Sequence, residues 1–254
     1  IEAKVVRLFS HSSSDDQKKY RSKESLEEDL KKDPIDYFSN LLIKKGVLTD
    51  LAFTELKKEV DAHISDSADW AIKQPDPKAE TAELYVYDES GKKEKLEYNK
   101  SEKSGSSIVM VDAINHALHE EMKINDKLYV FGEDVADKKG GVFTSTKGLS
   151  THFGDDRVFN SPLAEASILG VAIGLGLAGL KPCCEIQFGD YIYPAMSQIR
   201  DELVMYRYRS NNLFESPVVI RVAVGGYIHG GLYHSQNIEA FFAHIPGLLI
   251  AYPS

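Results

Sequence analysis

The sequence predicts an α/β fold, in which a parallel sheet is covered by helices on both faces and is preceded by a mainly helical segment. From residue 108 onward, short apolar runs alternate with longer segments of helical periodicity. The apolar runs do not alternate in polarity, which is typical of parallel strands buried on both faces. Residues 75–107 are rich in Lys, Glu, Ser and Gly. We therefore expect three regions: 1–74, mainly helical; 75–107, a linker; and 108–254, the sheet domain.

Composition and charge indicate a globular chain and exclude some kinds of binding partner. The 254 residues are 43% hydrophobic, enough for a sizeable core, and carry a formal net charge of -9. This charge argues against nucleic acid or an anionic membrane as the main partner. No apolar run approaches the roughly 18 residues of a membrane span. Cys183 and Cys184 are adjacent, so they cannot form an ordinary disulfide together, and we expect core thiols in a reducing, cytoplasmic location.

The first region opens with a predicted strand at residues 1–8 and a polar loop at 9–16. Asp33 before Pro34 is the expected start of a helix, which Gly46 ends. A second amphipathic helix is predicted from about Asp50. Because the chain begins with Ile1 and not with methionine, we expect it to be a piece of a longer polypeptide.

The linker is predicted to contain a small exposed hairpin, with arms at 84–87 and 96–98 around a turn at 89–91. A charged docking surface is the alternative. In the sheet domain, strands are predicted at 128–131, 157–159, 183–188, 218–224 and 248–252, and helices at 111–122, 146–153, 165–180, 191–209 and 236–244.

Glu165 is the first candidate for catalysis. It opens a helix that is apolar on all sides, so we expect it to be buried. Burial favours the neutral form of a carboxylate, and this is how a general acid/base is prepared. The alternative is a carboxylate that only caps free N–H groups at the start of the helix.

Glu133 follows a predicted strand, where open α/β sheets bind ligands. It is either a partner of Glu165 or a solvated acid. His229 and His234 lie in a glycine-rich loop, and each is either a ligand contact or a packed or capping group. No short ligand spacing accompanies the histidines, so no metal site is predicted. The G-x-G-x-x-G run at 174–179 closes a helix and does not open one, so it indicates close packing rather than nucleotide binding.

Six motifs then identify a family. VDAIN at 111–115, FGEDVA at 131–136, SPLAE at 161–165, EIQFGDY at 185–191, YRYRS at 206–210 and YHSQ at 233–236 stand in this order. They resemble the beta subunit of the thiamine-diphosphate-dependent 2-oxo acid dehydrogenases, and the resemblance covers about residues 108–254. Residues 1–21 are similar to the later, diphosphate-binding part of the alpha subunit. This implies a fused alpha-beta chain whose sheet domain is of the pyrimidine-binding type.

The resemblance implies roles around the cofactor ring. Glu165 hydrogen-bonds the aminopyrimidine ring of thiamine diphosphate, and Leu163, Gln187 and Tyr191 line that ring. We place Glu133 in the same site.

It also implies roles beyond the ring. His11 lies near the diphosphate and the substrate carboxylate, Arg7 is an anion or loop anchor, and His234 acts in acyl transfer to lipoyl. The Gly-Asp-Gly segment that would hold magnesium does not occur upstream of His11, so the magnesium ligands are expected outside this chain.

Gln187, Tyr191 and the YRYRS run favour the branched-chain type. We expect oxidative decarboxylation of a branched 2-oxo acid and reductive acylation of a lipoyl-bearing acyltransferase, by a homo-oligomer. Pyruvate or acetoin as substrate, or a non-catalytic assembly module, are the alternatives. Since the Gly-Asp-Gly segment and a further beta-like domain are missing, we expect this polypeptide alone to bind the cofactor poorly and to have no turnover.

Overall fold

The computed structural model describes residues 3–10, 12, 16–87, 105–136 and 139–253. The chain divides into two units, Ile1–Pro77 and Lys78–Ser254.

In the first unit, three α-helices follow a 3-10 turn at Gln17–Lys19: α1 (Lys23–Leu30), α2 (Pro34–Lys44) and α3 (Asp50–Ile72). The predicted start of α2 is confirmed, because the Asp33 side chain accepts a hydrogen bond from the Ile35 N–H. Gly46 follows α2 in a left-handed conformation, as a helix-ending glycine does. Helix α3 was also predicted, whereas α1 was not.

The strand predicted at residues 1–8 is wrong for its described part, since residues 3–8 form no regular structure. The described part of this unit contains no strand, so the segment around Val5 has no strand to pair with, and the Val5 side chain is exposed. Helices supply all the regular structure here.

The second unit begins with a 3-10 turn at Ala79–Thr81. The first arm of the predicted hairpin, residues 84–87, consists of turns and bends and is not a strand. The second arm lies outside the described residues.

Four parallel strands form the sheet of this unit: β1 (Leu128–Gly132), β2 (Val158–Asn160), β3 (Lys181–Phe188) and β4 (Val219–Ala223). Their order is β2-β1-β3-β4, so β1 and β3 are the central strands. Gly132 pairs with Asn160 on one side and with Glu185 on the other, and Glu185 in turn pairs with Arg221. The predicted parallel sheet is confirmed.

Two apolar clusters lie on opposite faces of this sheet. Phe131 and Cys184 belong to one cluster, whereas Val130 and Cys183 belong to the other. Because neighbouring residues of a strand point to opposite faces, both faces are covered, as predicted. Burial raises the pKa of the Cys183 thiol to about 11, so this buried thiol stays protonated.

The described residues of this unit form five α-helices: α4 (Met110–Ile124), α5 (Leu149–Phe153), α6 (Glu165–Leu177), α7 (Met205–Arg209) and α8 (Glu239–Ala243). The single helix predicted at 191–209 is wrong. This segment instead contains a 3-10 turn at Tyr193–Ala195, a π-helix at Gln198–Leu203 and then α7. Pro194 lacks an N–H group, so it sits in the first turn and cannot continue an α-helix that began before it. No helix within the described ranges is long and apolar enough to cross a membrane.

The strand predicted at 248–252 is also wrong. These residues form no ladder with β4, and a cavity of about 480 Å³ is lined by this segment and by the β4 residues Ile220 and Val222. An apolar segment without a paired backbone is not a strand, whatever its composition. In the described residues, β4 is therefore an edge strand.

Candidate functional site

The carboxyl edge of the sheet collects the predicted site residues of the second unit. Glu133 follows β1 directly, Glu165 follows β2, Gln187 lies near the end of β3, and Tyr191 and His234 follow β3 and β4. Since all four strands are parallel, their carboxyl ends meet at one edge, where open α/β sheets bind ligands.

Glu133 is the buried carboxylate of this edge. Its side chain is 6% exposed, and its Oε1 atom has no hydrogen-bond partner in the described part of the chain. Burial raises the pKa of Glu133, and the negative charges of Glu165 and Asp134 raise it further. A carboxyl group with a raised pKa holds its proton to a higher pH than a solvated one does, and it can also offer an oxygen to a ligand.

Glu165 is half-buried, and the expectation that it would be fully buried is wrong. It is the first residue of α6, and full burial of that helix begins one turn later, at Ile168 and Leu169. The preceding Leu163 is 81% exposed. The helix therefore emerges from the core at its first turn, which leaves the Glu165 carboxylate accessible from the edge of the sheet.

Gln187 owes its position to an irregularity in β3. Ile186 pairs with Val222 and Phe188 pairs with Ala223, so Gln187 is the extra residue of a β-bulge. Bulges near sheet ends redirect a side chain. Half-buried Gln187 is thus presented at the carboxyl edge by β3 itself.

Tyr191 and His234 form a hydrogen-bonded pair. The Tyr191 hydroxyl lies 2.8 Å from Nε2 of His234, and the tautomer of the imidazole decides which group donates. The Phe188 ring packs edge-on against both rings, at centroid distances of 4.8 Å to His234 and 5.9 Å to Tyr191. This packing and the contact of Nε2 with Tyr191 together constrain the orientation of the imidazole.

Close packing within the glycine-rich loop places His234 beside Tyr191. A methyl group on Gly230 would overlap the Cβ atom of His234, and the Gly230 N–H donates to the Ser235 hydroxyl at 2.8 Å. His229 has a left-handed backbone (φ 55°). The ring contacts of His234 are with Phe188 and Tyr191, and do not include His229.

Two predicted site residues belong to the first unit. Arg7 donates from Nη2 to the Tyr20 hydroxyl at 2.9 Å, and its backbone oxygen accepts from Arg21. His11 lies outside the described residues. The roles assigned to Arg7 and His11 stay predictions.

In the part of the chain that the structure describes, no three His, Cys, Asp or Glu side chains lie close enough together to hold a metal ion.

Sequence reasoning missed Glu185 and Arg221 as members of this region. Glu185 is 2% exposed on β3 and forms an ion pair with Arg221 on β4. The signal was present, since Arg221 is the one charged residue of β4 and Glu185 lies between the apolar residues Cys184 and Ile186 of β3. Such a residue inside a sheet needs a partner, and the two provide it for each other.

Comparison with known families gives two matches. Residues 106–254 match the family model described as the transketolase, pyrimidine binding domain, and residues 1–80 match the one described as the dehydrogenase E1 component.

Among curated proteins, the 2-oxoisovalerate dehydrogenase subunit beta of Bacillus subtilis (strain 168) is 51% identical over 59% of this chain and 45% of its own length. The 2-oxoisovalerate dehydrogenase subunit beta 2, mitochondrial, of Arabidopsis thaliana is 49% identical over 59% of this chain and 42% of its own. The pyruvate dehydrogenase E1 component subunit beta of Bacillus subtilis (strain 168) is 43% identical over 59% and 46%. The chain thus spans less than half of each relative.

Glu133→Gln tests the buried carboxyl group through the pH dependence of stability. Because its folded pKa lies above the ordinary value of 4.5, the folded chain binds this proton more tightly than the unfolded chain does. The resulting stabilisation is complete below that ordinary value and is lost as pH rises through the raised pKa. The glutamine variant cannot ionise, so its free energy of unfolding relative to the native chain should increase as pH rises above that ordinary value of 4.5.

Denaturant unfolding at several pH values measures this difference. Glu120→Gln removes an exposed carboxylate on α4 and is the control. A difference for Glu133→Gln that stays constant across the pH range would contradict the raised pKa.

Gly230→Ala tests the loop that positions His234. The added methyl group overlaps His234, so we expect the hydrogen bond with Tyr191 to break, at a cost of about 0.5–1.5 kcal/mol. The imidazole resonances of His234 should shift in the NMR spectrum. Gly226→Ala, in the same loop, is the matched control, since a methyl group there meets nothing within 4 Å. Equal spectra for both variants would show that Gly230 does not hold His234.

Proposed function

The chain belongs to the family of transketolase pyrimidine-binding domains, and we propose that the carboxyl edge of its sheet holds the aminopyrimidine ring of thiamine diphosphate. The observation that carries this proposal is the carboxylate pair at that edge. Glu133 is buried with a raised pKa, and the half-buried Glu165 beside it contributes to that shift. The unpartnered Oε1 of Glu133 fits a ligand with polar ring atoms.

The other residues of the edge fit the same ring. Glu165 would hydrogen-bond a ring nitrogen, and Gln187, presented by the bulge, would reach the polar rim. Tyr191 offers a ring face for stacking, and the exposed Leu163 offers an apolar contact. Polar groups at the rim and apolar groups at the faces are what a small aromatic ligand requires.

The two carboxylates have different roles in proton transfer in this proposal. Glu133 is the more deeply buried of the two, and burial raises its pKa, whereas Glu165 would exchange a proton with the ring nitrogen. A general acid/base of this kind contributes about 10² to 10⁴ in rate. Thiamine diphosphate, when bound, supplies the carbanion chemistry, and the chain supplies orientation and electrostatics.

His234 serves a later step in this proposal, the transfer of an acyl group to lipoyl. The contact with Tyr191 orients the imidazole, so that it can hold or release a proton at the ring nitrogen facing the reactant. His11 and Arg7 are proposed to act on the diphosphate and the substrate carboxylate.

For the whole protein we propose oxidative decarboxylation of a branched-chain 2-oxo acid, with the acyl group passed to a lipoyl-bearing acyltransferase. The names of the two relatives nearest 50% identity support this substrate class. We propose that the component works as a homo-oligomer and that magnesium ligands lie outside this chain. Buried free thiols support a reducing compartment such as the cytoplasm.

Glu165→Gln tests the assigned base. Glutamine keeps the shape of the side chain but cannot exchange a proton, so activity of the assembled decarboxylating component should fall at least about tenfold while folding is retained. Decarboxylation assays and thermal unfolding measure the two effects. Glu120→Gln, exposed on α4, is the control and should keep full activity. Unchanged activity of Glu165→Gln would favour the alternative role as an assembly module.

The substrate class is tested by comparing 3-methyl-2-oxobutanoate with pyruvate in the same component. We expect a higher kcat/KM for the branched substrate, because one or two methylenes in an apolar pocket change selectivity by about 10- to 200-fold. A preference for pyruvate would instead favour the activity named for the 43% identical relative.

A further inference from the structure

The carboxylate of Glu185 accepts hydrogen bonds from two different elements in the interior of the sheet. Its Oε1 accepts the Val142 N–H at 3.0 Å, and its Oε2 accepts from Arg221 Nη2. Val142 belongs to the loop between β1 and α5, whereas Arg221 is the cross-strand neighbour of Glu185 on β4. One carboxylate thus joins the sheet to this loop.

Stability alone is a poor reason for such a pair. Burial raises the pKa of Glu185 even though Arg221 and the Val142 N–H oppose the shift, so burying this charge is costly. Apolar residues of similar volume in place of a buried ion pair are often neutral or stabilising. Arg221 also leaves its Nε atom buried without a partner within the described residues.

The loop is built around the carboxylate. A methyl group on Gly141 would lie 3.0 Å from Glu185 Oε1 and 2.7 Å from Thr146 Oγ1, and Gly141 has a left-handed backbone (φ 69°). A methyl group on Gly132 would collide with the backbone oxygen of Glu185. Gly141 therefore permits the approach of this loop to β3, and Gly132 permits the close pairing of the end of β1 with β3.

A short path of hydrogen bonds leads from the anchor to the ligand site. Next to Val142, the Gly141 N–H donates to the Asp134 carbonyl at 2.8 Å. Asp134 follows Glu133, the buried acid of the edge. The Thr146 hydroxyl donates to the Val135 carbonyl at 2.7 Å and holds the same turn from its other end.

We propose that Glu185, held by Arg221, is a positioning residue that sets the place of Glu133 at the ring site by anchoring the Val142 amide. This inference rests on the proposed function for its consequence, the binding of the ring. The anchor itself concerns only this chain.

Two double variants test the proposal, because single changes leave a buried charge and risk unfolding. Glu185→Leu/Arg221→Met removes both charges and the acceptor of the Val142 N–H. Glu185→Gln/Arg221→Met removes both charges and keeps an acceptor oxygen. The second is the matched control of the first, and both should fold.

Hydrogen exchange of the Val142 and Gly141 amides is measured first, in the chain itself. We expect exchange to accelerate by roughly tenfold in the leucine variant and to change little in the glutamine variant, as loss of one hydrogen bond implies. Equal exchange in the two variants overturns the anchor.

Affinity for thiamine diphosphate is measured next, in the assembled component. We expect roughly tenfold weaker binding for the leucine variant than for the glutamine variant. Equal affinities, with equal melting temperatures, overturn the positioning role. Absence of binding by the native component would instead overturn the proposed function, and the exchange result would still decide whether Glu185 anchors the loop.

Discussion

Burial of the two central strands on both faces is the constraint on which the structure depends. Strands β1 and β3 carry apolar side chains above and below the sheet, so the interior offers no water to a polar group. Polar side chains on these strands must either pair internally, as Glu185 does with Arg221, or lie where the strands end. Because all strands are parallel, those ends coincide, and the acids, the amide and the imidazole collect at one edge without further design.

Most of this organisation could be predicted from the sequence, because burial leaves a plain signal. Four of the five strands predicted in the sheet domain formed, as did the helices that begin at caps such as Asp33. The errors at residues 3–8 and 248–252 share one physical cause, since strand pairing is not local. Residues 3–8 and 248–252 have strand composition but no neighbour to pair with, and composition alone cannot supply one. Pro194 carried a local signal that the predicted long helix ignored.

Sequence reasoning predicted which residues form the site better than it predicted their burial and their contacts. Glu165 was expected to be the buried acid because its helix is apolar on all sides, yet the first turn of α6 projects from the core, and Glu133 is the deeper carboxylate. Helix periodicity shows which face is buried but not how far the helix end extends beyond the core. The contact between Tyr191 and His234 was likewise out of reach, because it joins loops that follow different strands.

The two halves of the edge are built from different elements, and this difference suits the proposed chemistry. Glu133 and Gln187 are held by the sheet itself, through the anchored loop and the bulge, and a ring that must react at one atom needs such fixed partners. His234 stands instead in a glycine-rich loop whose neighbour Tyr233 is 66% exposed. Its proposed reactant arrives on another protein and needs an open approach. The packing of Phe188 and Tyr191 around the imidazole therefore adds to the contacts of the loop itself, such as the hydrogen bond from the Gly230 N–H to Ser235, in fixing His234.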